Sequence, residues 1–191
     1  MSDILRQFIT STVPDLDPSS IDAVVQALPA VTHRRGQILV HQGEIARDCY
    51  FVLQGCLRVY FVTEKGVEFT NDFVTELQSL VIFESFKQNL PSPYSVECLE
   101  DSLLLEGDFS HEEEMNRRFP LLQNVTRAAM EDNLAAGQKD LTALRAASPQ
   151  QRYLDVLKNR PGLAARVPQY QLASYLGMTP ESLSRIKKRI G

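Results

Sequence analysis

The chain has 191 residues, 43% of them hydrophobic and 23% charged, with 9 Gly, 10 Pro, 3 Cys and a formal net charge of −4. This composition suits a globular chain with one core or two small ones and excludes low-complexity disorder, a collagen repeat and a disulfide scaffold. No run approaches the roughly 18 apolar residues that span a bilayer, and the opening Met1-Ser2-Asp3-Ile4-Leu5-Arg6 lacks a signal peptide's basic stretch and apolar core; a cytoplasmic protein with no membrane partner is expected.

In chain order, Asp15, Asp17 and Pro18-Ser19-Ser20 lead into Ile21-Asp22-Ala23-Val24-Val25-Gln26-Ala27-Leu28, which reads as short capped helices ending before Pro29. From about Ala30 to Glu106 short apolar runs (37–41, 49–53, 57–63, 67–73, 94–99, 103–105) are broken at Gly36, Gly43, Gly55 and Glu64-Lys65-Gly66. Many short strands at such spacing predict a sandwich or barrel. Residues 79–93 interrupt them as a short helix and a loop, the kind of insertion that carries ligand sites on a rigid frame. Tyr60, Phe61, Phe69 and Phe73 are expected in the core of the β-region.

After Asp108 the period becomes helical. Leu122, Thr126, Met130, Leu134, Gly137, Leu141 and Leu144 recur at spacings of three or four, and 120–144 would span about 36 Å of helix at ~1.5 Å per residue. A stripe of that length, beside Ala128, Ala129, Ala135 and Ala136, fits packing either on a second copy or on the β-region. In the last 44 residues, Ser148-Pro149, Val167-Pro168 and Thr179-Pro180 predict three helix starts, and Asn159-Arg160-Pro161-Gly162 a turn.

The charge is unevenly placed. Residues 1–147 carry 12 Lys and Arg against 22 Asp and Glu, a net of −10, whereas 148–191 carry 8 against 2, a net of +6. An acidic body with a basic tail points to a polyanion partner. In that tail Ala173 is small where two crossing helices approach, Gly177 suits a positive φ at a helix end, and Thr179 caps the next helix, the spacing of a helix-turn-helix. Leu176, Leu183, Ile186 and Ile190 would face inward. Glu181, Ser182, Ser184, Arg185, Lys188 and Arg189 would remain outside, a surface of donors, acceptors and positive charge suited to a major groove of double-stranded DNA.

Val167-Pro168-Gln169, Ala173-Ser174-Tyr175-Leu176-Gly177 and Thr179-Pro180-Glu181-Ser182-Leu183-Ser184-Arg185-Ile186 resemble the DNA-binding domain of the cyclic-AMP receptor / fumarate-nitrate regulator (Crp/Fnr) family. Gly36, Gly43 and Tyr50-Phe51-Val52-Leu53-Gln54-Gly55 before Leu57-Arg58-Val59-Tyr60 resemble its cyclic-nucleotide-binding β-roll. The resemblance implies an α+β chain: an N-terminal β-roll of jelly-roll type over 1–111, a long dimerisation helix over 112–147 and a winged helix-turn-helix over 148–191. It further implies a homodimeric transcription regulator, contacts with RNA polymerase, base contacts from Glu181 and Arg185, and Gln169 and Thr179 within the DNA-binding surface. Pro180 stands where the family often has Arg.

The effector cassette departs from that pattern. Phe83-Glu84-Ser85 replaces the ribose-binding Gly-Glu, and Ser92-Pro93-Tyr94 stands where the phosphate-binding Arg-Ser/Thr pair belongs, with no Arg from 87 to 101. A cyclic phosphate without a cation or a nest of N–H groups is poorly compensated, so cyclic AMP is not the expected effector. The pocket is expected to be empty or to hold an unidentified small molecule bordered by Phe83, Glu84, Ser85, Phe86, Ser92 and Tyr94. Cys49, Cys56 and Cys98 fall in predicted strands with no C-x-x-C spacing and read as structural thiols, and His33, His41 and His111 are scattered, with His33 and His111 read as surface residues. No metal, cofactor or enzymatic constellation is legible. The reading from another class is a β-roll ligand-binding or protein-interaction module that does not bind DNA; its docking helix would carry apolar anchors where 180–189 is polar and basic.

Overall fold

The computed structural model describes residues 2–12, 17–28, 30–120 and 122–190. Two helices, α1 (Ser2–Thr12) and α2 (Pro18–Ala27), open the chain. Asp17 caps α2 by accepting hydrogen bonds from the Ser19 and Ser20 amides at 3.1 and 3.0 Å, and Pro18 sits in the first turn, where its missing N–H costs nothing.

The strands are β1 (Ala30–His33), β2 (Ile38–Val40), β3 (Asp48–Gln54), β4 (Leu57–Val62), β5 (Glu68–Val74), β6 (Ser79–Leu80), β7 (Ser95–Cys98) and β8 (Ser102–Asp108), with helix α3 (Phe83–Gln88) between β6 and β7. They pair as two antiparallel sheets in the orders β1-β8-β3-β6 and β2-β7-β4-β5, two facing layers rather than a closed barrel. Val52, Leu57, Val59, Val74, Val96 and Leu104 fill the space between the sheets. Leu53 and Leu105 belong instead to a second cluster with Leu5, Ile9, Ile21 and Val24 of the N-terminal helices. Strand β3 is thus covered on both faces, which explains its unbroken run Tyr50-Phe51-Val52-Leu53.

Three expectations about burial need correction. Phe69 is exposed and stacks on Phe61, with centroids 5.5 Å apart, at the turn end of the β4–β5 hairpin. Phe73 is fully buried, but in the cluster of the C-terminal helices. His33 is only 8% exposed, with Nε2 at 2.5 Å from a carboxylate oxygen of Glu106, so it is not a surface residue. The side chain of His111 lies outside the described residues.

Residues 112–147 are not one helix. Helix α4 (Phe109–Arg118) ends before Pro120, and the 25-residue α5 (Leu122–Ala146) starts after it. A proline lacks the N–H that would continue a helix and pushes its predecessor, Phe119, toward extended backbone. Four helices follow rather than three: α6 (Pro149–Asn159), α7 (Leu163–Arg166), α8 (Gln169–Tyr175) and α9 (Pro180–Ile190). The single turn α7 follows Gly162, whose φ of 88° reverses the chain direction. Among the described residues none after Asp108 lies in a strand, so the implied wing has no counterpart there.

Candidate nucleic-acid interface

Helices α8 and α9 form a helix-turn-helix. Ala173, fully buried, lets the two approach, and Gly177 ends α8 with φ 62°. The positive φ is what favours glycine, since a Cβ there would meet only the flexible end of the Leu144 side chain, at 3.0 Å. The Ser182 amide donates to Thr179 Oγ1 at 3.3 Å and caps α9. Leu176, Leu183 and Ile186 are buried against Tyr153, Val156, Leu163, Val167 and Leu172, while Ile190 is exposed, contrary to its expected inward position. Arg152 braces the unit from α6, donating to the carbonyls of Leu176 at 2.8 Å and Ala147 at 2.9 Å.

The expected contact residues gather on one surface. Glu181, Arg185, Lys188 and Arg189 are exposed on α9, with Ser182 and Ser184 half-buried between them. Gln169, at the start of α8, reaches the same edge by donating through Nε2 to the Pro180 carbonyl at 3.4 Å. The Glu181 carboxyl is held below the ordinary value by its own backbone N–H and by the Thr179 hydroxyl, so it remains an anionic acceptor. Lys187 adds charge to the last turn. Tyr170, 58% exposed beside Gln169, was not singled out from sequence; its position at the start of the first helix of the motif was the available signal.

Of the expected effector residues, only Phe83 and Phe86 border the large cavity beside α3. Ser85 is buried and accepts from the Ala46 amide at 2.6 Å; Ser92 is buried and exchanges hydrogen bonds with the Tyr94 backbone at 2.6 and 3.1 Å. Both hydroxyls hold loops in place, and Glu84 faces solvent. Phe83 and Phe86 instead border a cavity of about 820 Å³ that runs between α1, α3, β3, β8 and α5 and reaches Asp72, Asp140 and Arg160 at one end. Its charged lining balances, with Lys87, Lys139 and Arg160 against Asp72, Glu106 and Asp140. Burial pushes the Cys56 thiol up to about 12 and the Cys98 thiol up to about 11, which keeps both protonated and unreactive. Among the described residues no group of three His, Cys, Asp or Glu side chains is placed to hold a metal ion, and no helix is long and apolar enough to cross a membrane.

Residues 30–113 match the family described as the cyclic nucleotide-binding domain. The regulatory protein HlyX of Actinobacillus pleuropneumoniae is 22% identical over 189 residues, 93% of this chain and 77% of that one. The fumarate and nitrate reduction regulatory protein of Yersinia pestis is 22% identical over 192 residues, 95% of this chain and 75% of that one. The fold is similar to that of FixK2 from Bradyrhizobium japonicum, with a TM-score of 0.70 at 16% identity over 85% of this chain and 84% of that one. The chain is thus similar along nearly its whole length to proteins named as regulators, and its residues 30–113, which match a cyclic nucleotide-binding domain, are followed by a long helix and a helix-turn-helix.

Proposed function

We propose that the chain is a sequence-specific regulator of transcription that binds double-stranded DNA as a homodimer, with α9 in the major groove. The observation that carries this is the exposed face of α9, where Glu181, Arg185, Lys188 and Arg189 stand beyond a buried Leu183 and Ile186 in a segment of net charge +6. Arg185 suits the acceptor edge of guanine and Glu181 the amino group of cytosine; Lys188 and Arg189 suit phosphates. Gln169, Thr179, Ser182 and Ser184 fix register at the helix N-termini.

Helix α5 supplies the seam between copies. Leu134, Leu141 and Leu144 are 65%, 48% and 50% exposed in the single chain, a row of large apolar side chains left in water. Residues 1–111 sense, 112–147 dimerise and 148–191 bind DNA; RNA polymerase is the partner through which such a bound dimer would act on transcription, and its setting is the cytoplasm. The effector is a neutral or weakly polar small molecule rather than cyclic AMP, in keeping with the balanced charges around the cavity bordered by Phe83 and Phe86. Selection of duplexes from a random pool by the full-length chain tests the reading: the expected product is a pseudo-palindrome with half-sites about one helical turn apart. Recovery of duplexes with no shared sequence would refute it.

A further inference from the structure

The helix-turn-helix is built into the side of the β-domain. Its cluster of buried residues, Tyr153, Leu163, Leu172, Leu176 and Leu183, continues without a break into Cys56, Phe73 and Leu99 of the roll. Tyr175 of α8 meets the Phe73 ring edge-on at 5.5 Å, and Ser174 Oγ accepts the amide hydrogen of Thr70, on the edge strand β5, at 2.9 Å.

Two arginines rim this contact. Arg166 of α7 donates to both carboxylate oxygens of Glu76 at 2.8 Å, to the Gly55 carbonyl at 2.8 Å and to Glu100. Glu76 in turn accepts the Gly55 amide at 3.0 Å, so one turn of the roll is held by its N–H and its carbonyl from two sides. Gly55 has φ 121°, and a Cβ on it would collide with Ser102, so this turn admits only glycine. Arg160, in the turn after α6, donates to Asp72 at 3.1 Å, to the Phe73 carbonyl and to the Tyr175 hydroxyl at 3.3 Å. Tyr175 in turn donates its hydroxyl hydrogen to Asp140 of α5 at 2.9 Å. Burial lifts the Tyr175 phenol above its ordinary value, and although burial opposes the Arg160 charge, Asp72 and Tyr175 together outweigh it. The planar guanidinium fork satisfies several acceptors in fixed directions at once, so each arginine sets an orientation as well as an attraction.

We propose that Arg160 and Arg166 are positioning residues for DNA binding: by locking α7 and α8 to β5 and the Gly55 turn, they hold the two recognition helices of a dimer at one separation and so set the half-site spacing the protein accepts. The proposal rests on the dimeric, DNA-binding reading above. Neither arginine lies on the face formed by Glu181, Arg185, Lys188 and Arg189. Their loss leaves the contacts to a single half-site in place and turns a rigid pair of reading heads into two tethered ones.

The test uses the full-length chain, the operator selected by the wild type, a duplex with one half-site, and duplexes with half-sites moved apart by up to about five base pairs, half a helical turn. Wild type is expected to lose on the order of 100-fold at the half-turn insertion. Arg166→Ala is expected to change half-site affinity by less than about twofold, lose about tenfold at the preferred spacing and lose less than about tenfold more at the insertion; Arg160→Met, whose side chain also borders the cavity, is expected to flatten the spacing profile in the same way. Glu76→Gln repeats the Arg166 result from the β-domain side. Hydrogen exchange of the Thr70 amide gives a reading without DNA: it should quicken at least about tenfold in Arg166→Ala while the Val52 and Leu104 amides, within the roll, keep their protection. A spacing profile of unchanged shape together with unchanged Thr70 exchange overturns the proposal. If wild type selects no operator but Thr70 exchange quickens, the DNA reading fails and the lock stands as a domain contact only, which equally removes its positioning role.

Discussion

Ser174, on the first helix of the helix-turn-helix, accepts a hydrogen bond from the Thr70 amide of the β-roll at 2.9 Å, 104 residues earlier in the chain. An edge strand normally leaves such amides to water or to another chain. Here the edge of β5 is closed by α8, so the part of the molecule that would read DNA and the part that would read a signal share a strand.

Phe73 is the apolar counterpart of that bond. It is fully buried, belongs to β5 and packs in the cluster of the C-terminal helices. Phe73→Ala should cost about 3 to 5 kcal/mol in denaturant unfolding, the range for removing a buried aromatic ring, and should quicken Thr70 amide exchange as well. A loss below about 1 kcal/mol would mean that the two units do not share a core.

Glu76 gives the contact a pH dependence of known sign. Burial pushes its carboxyl up, but the hydrogen bonds from Arg166 and the Gly55 amide outweigh that and leave it below the ordinary value. A carboxyl depressed in the folded state contributes stability that is whole above its unfolded value, about 4.3, and is lost as pH falls through the lower folded value. Wild type should therefore be more stable than Glu76→Gln at pH 7, with the difference closing as pH falls from the ordinary glutamate value through the lower folded one. A difference that stays constant over that interval would show that Glu76 does not act as a charge.

Leu134 is 65% exposed on α5, so Leu134→Glu should leave the fold of one chain intact, with an unchanged far-ultraviolet dichroism spectrum. In a seam between two copies the same carboxylate would be buried against apolar side chains, at a cost of several kcal/mol. Sedimentation should then give a dimer for wild type and a monomer for the variant at micromolar concentration. A monomeric wild type contradicts the role given to α5.

Cyclic AMP and cyclic GMP should release no heat in titrations up to millimolar concentration. Ser85 and Ser92 already commit their hydroxyls to the Ala46 amide and the Tyr94 backbone, and Glu84 points to solvent. Saturable micromolar binding, with tighter operator binding alongside, would contradict this.

Much of the helix-turn-helix was legible because local chemistry decides it: a buried Ala173, a positive φ at Gly177 and a Thr179 cap are each written in a residue type that does one thing well. The same holds for β3, β4 and β5, whose runs are long and turn-bounded. Strands β1 and β6 were missed because four and two residues carry no period of their own and are strands only through pairing with β8 and β3. Phe73 and His33 were misplaced for a related reason, since whether a strand residue faces the roll, the helical domain or water depends on what the rest of the chain lays over it. Arg160 and Arg166 were counted as basic charge of the C-terminal segment; that each is committed to carboxylates of the β-domain is a tertiary fact with no sequence signal.

The central claim, that α9 reads base sequence, is tested most directly by comparing Arg185→Ala with Lys188→Ala on the selected operator and on unrelated duplex across a salt series. Arg185→Ala should cost about 1 to 3 kcal/mol on the operator, relax one base position and leave unrelated duplex nearly unchanged. Lys188→Ala should weaken both duplexes alike and flatten the salt slope by about one. Equal losses for the two variants on every duplex would contradict sequence-specific reading by this helix.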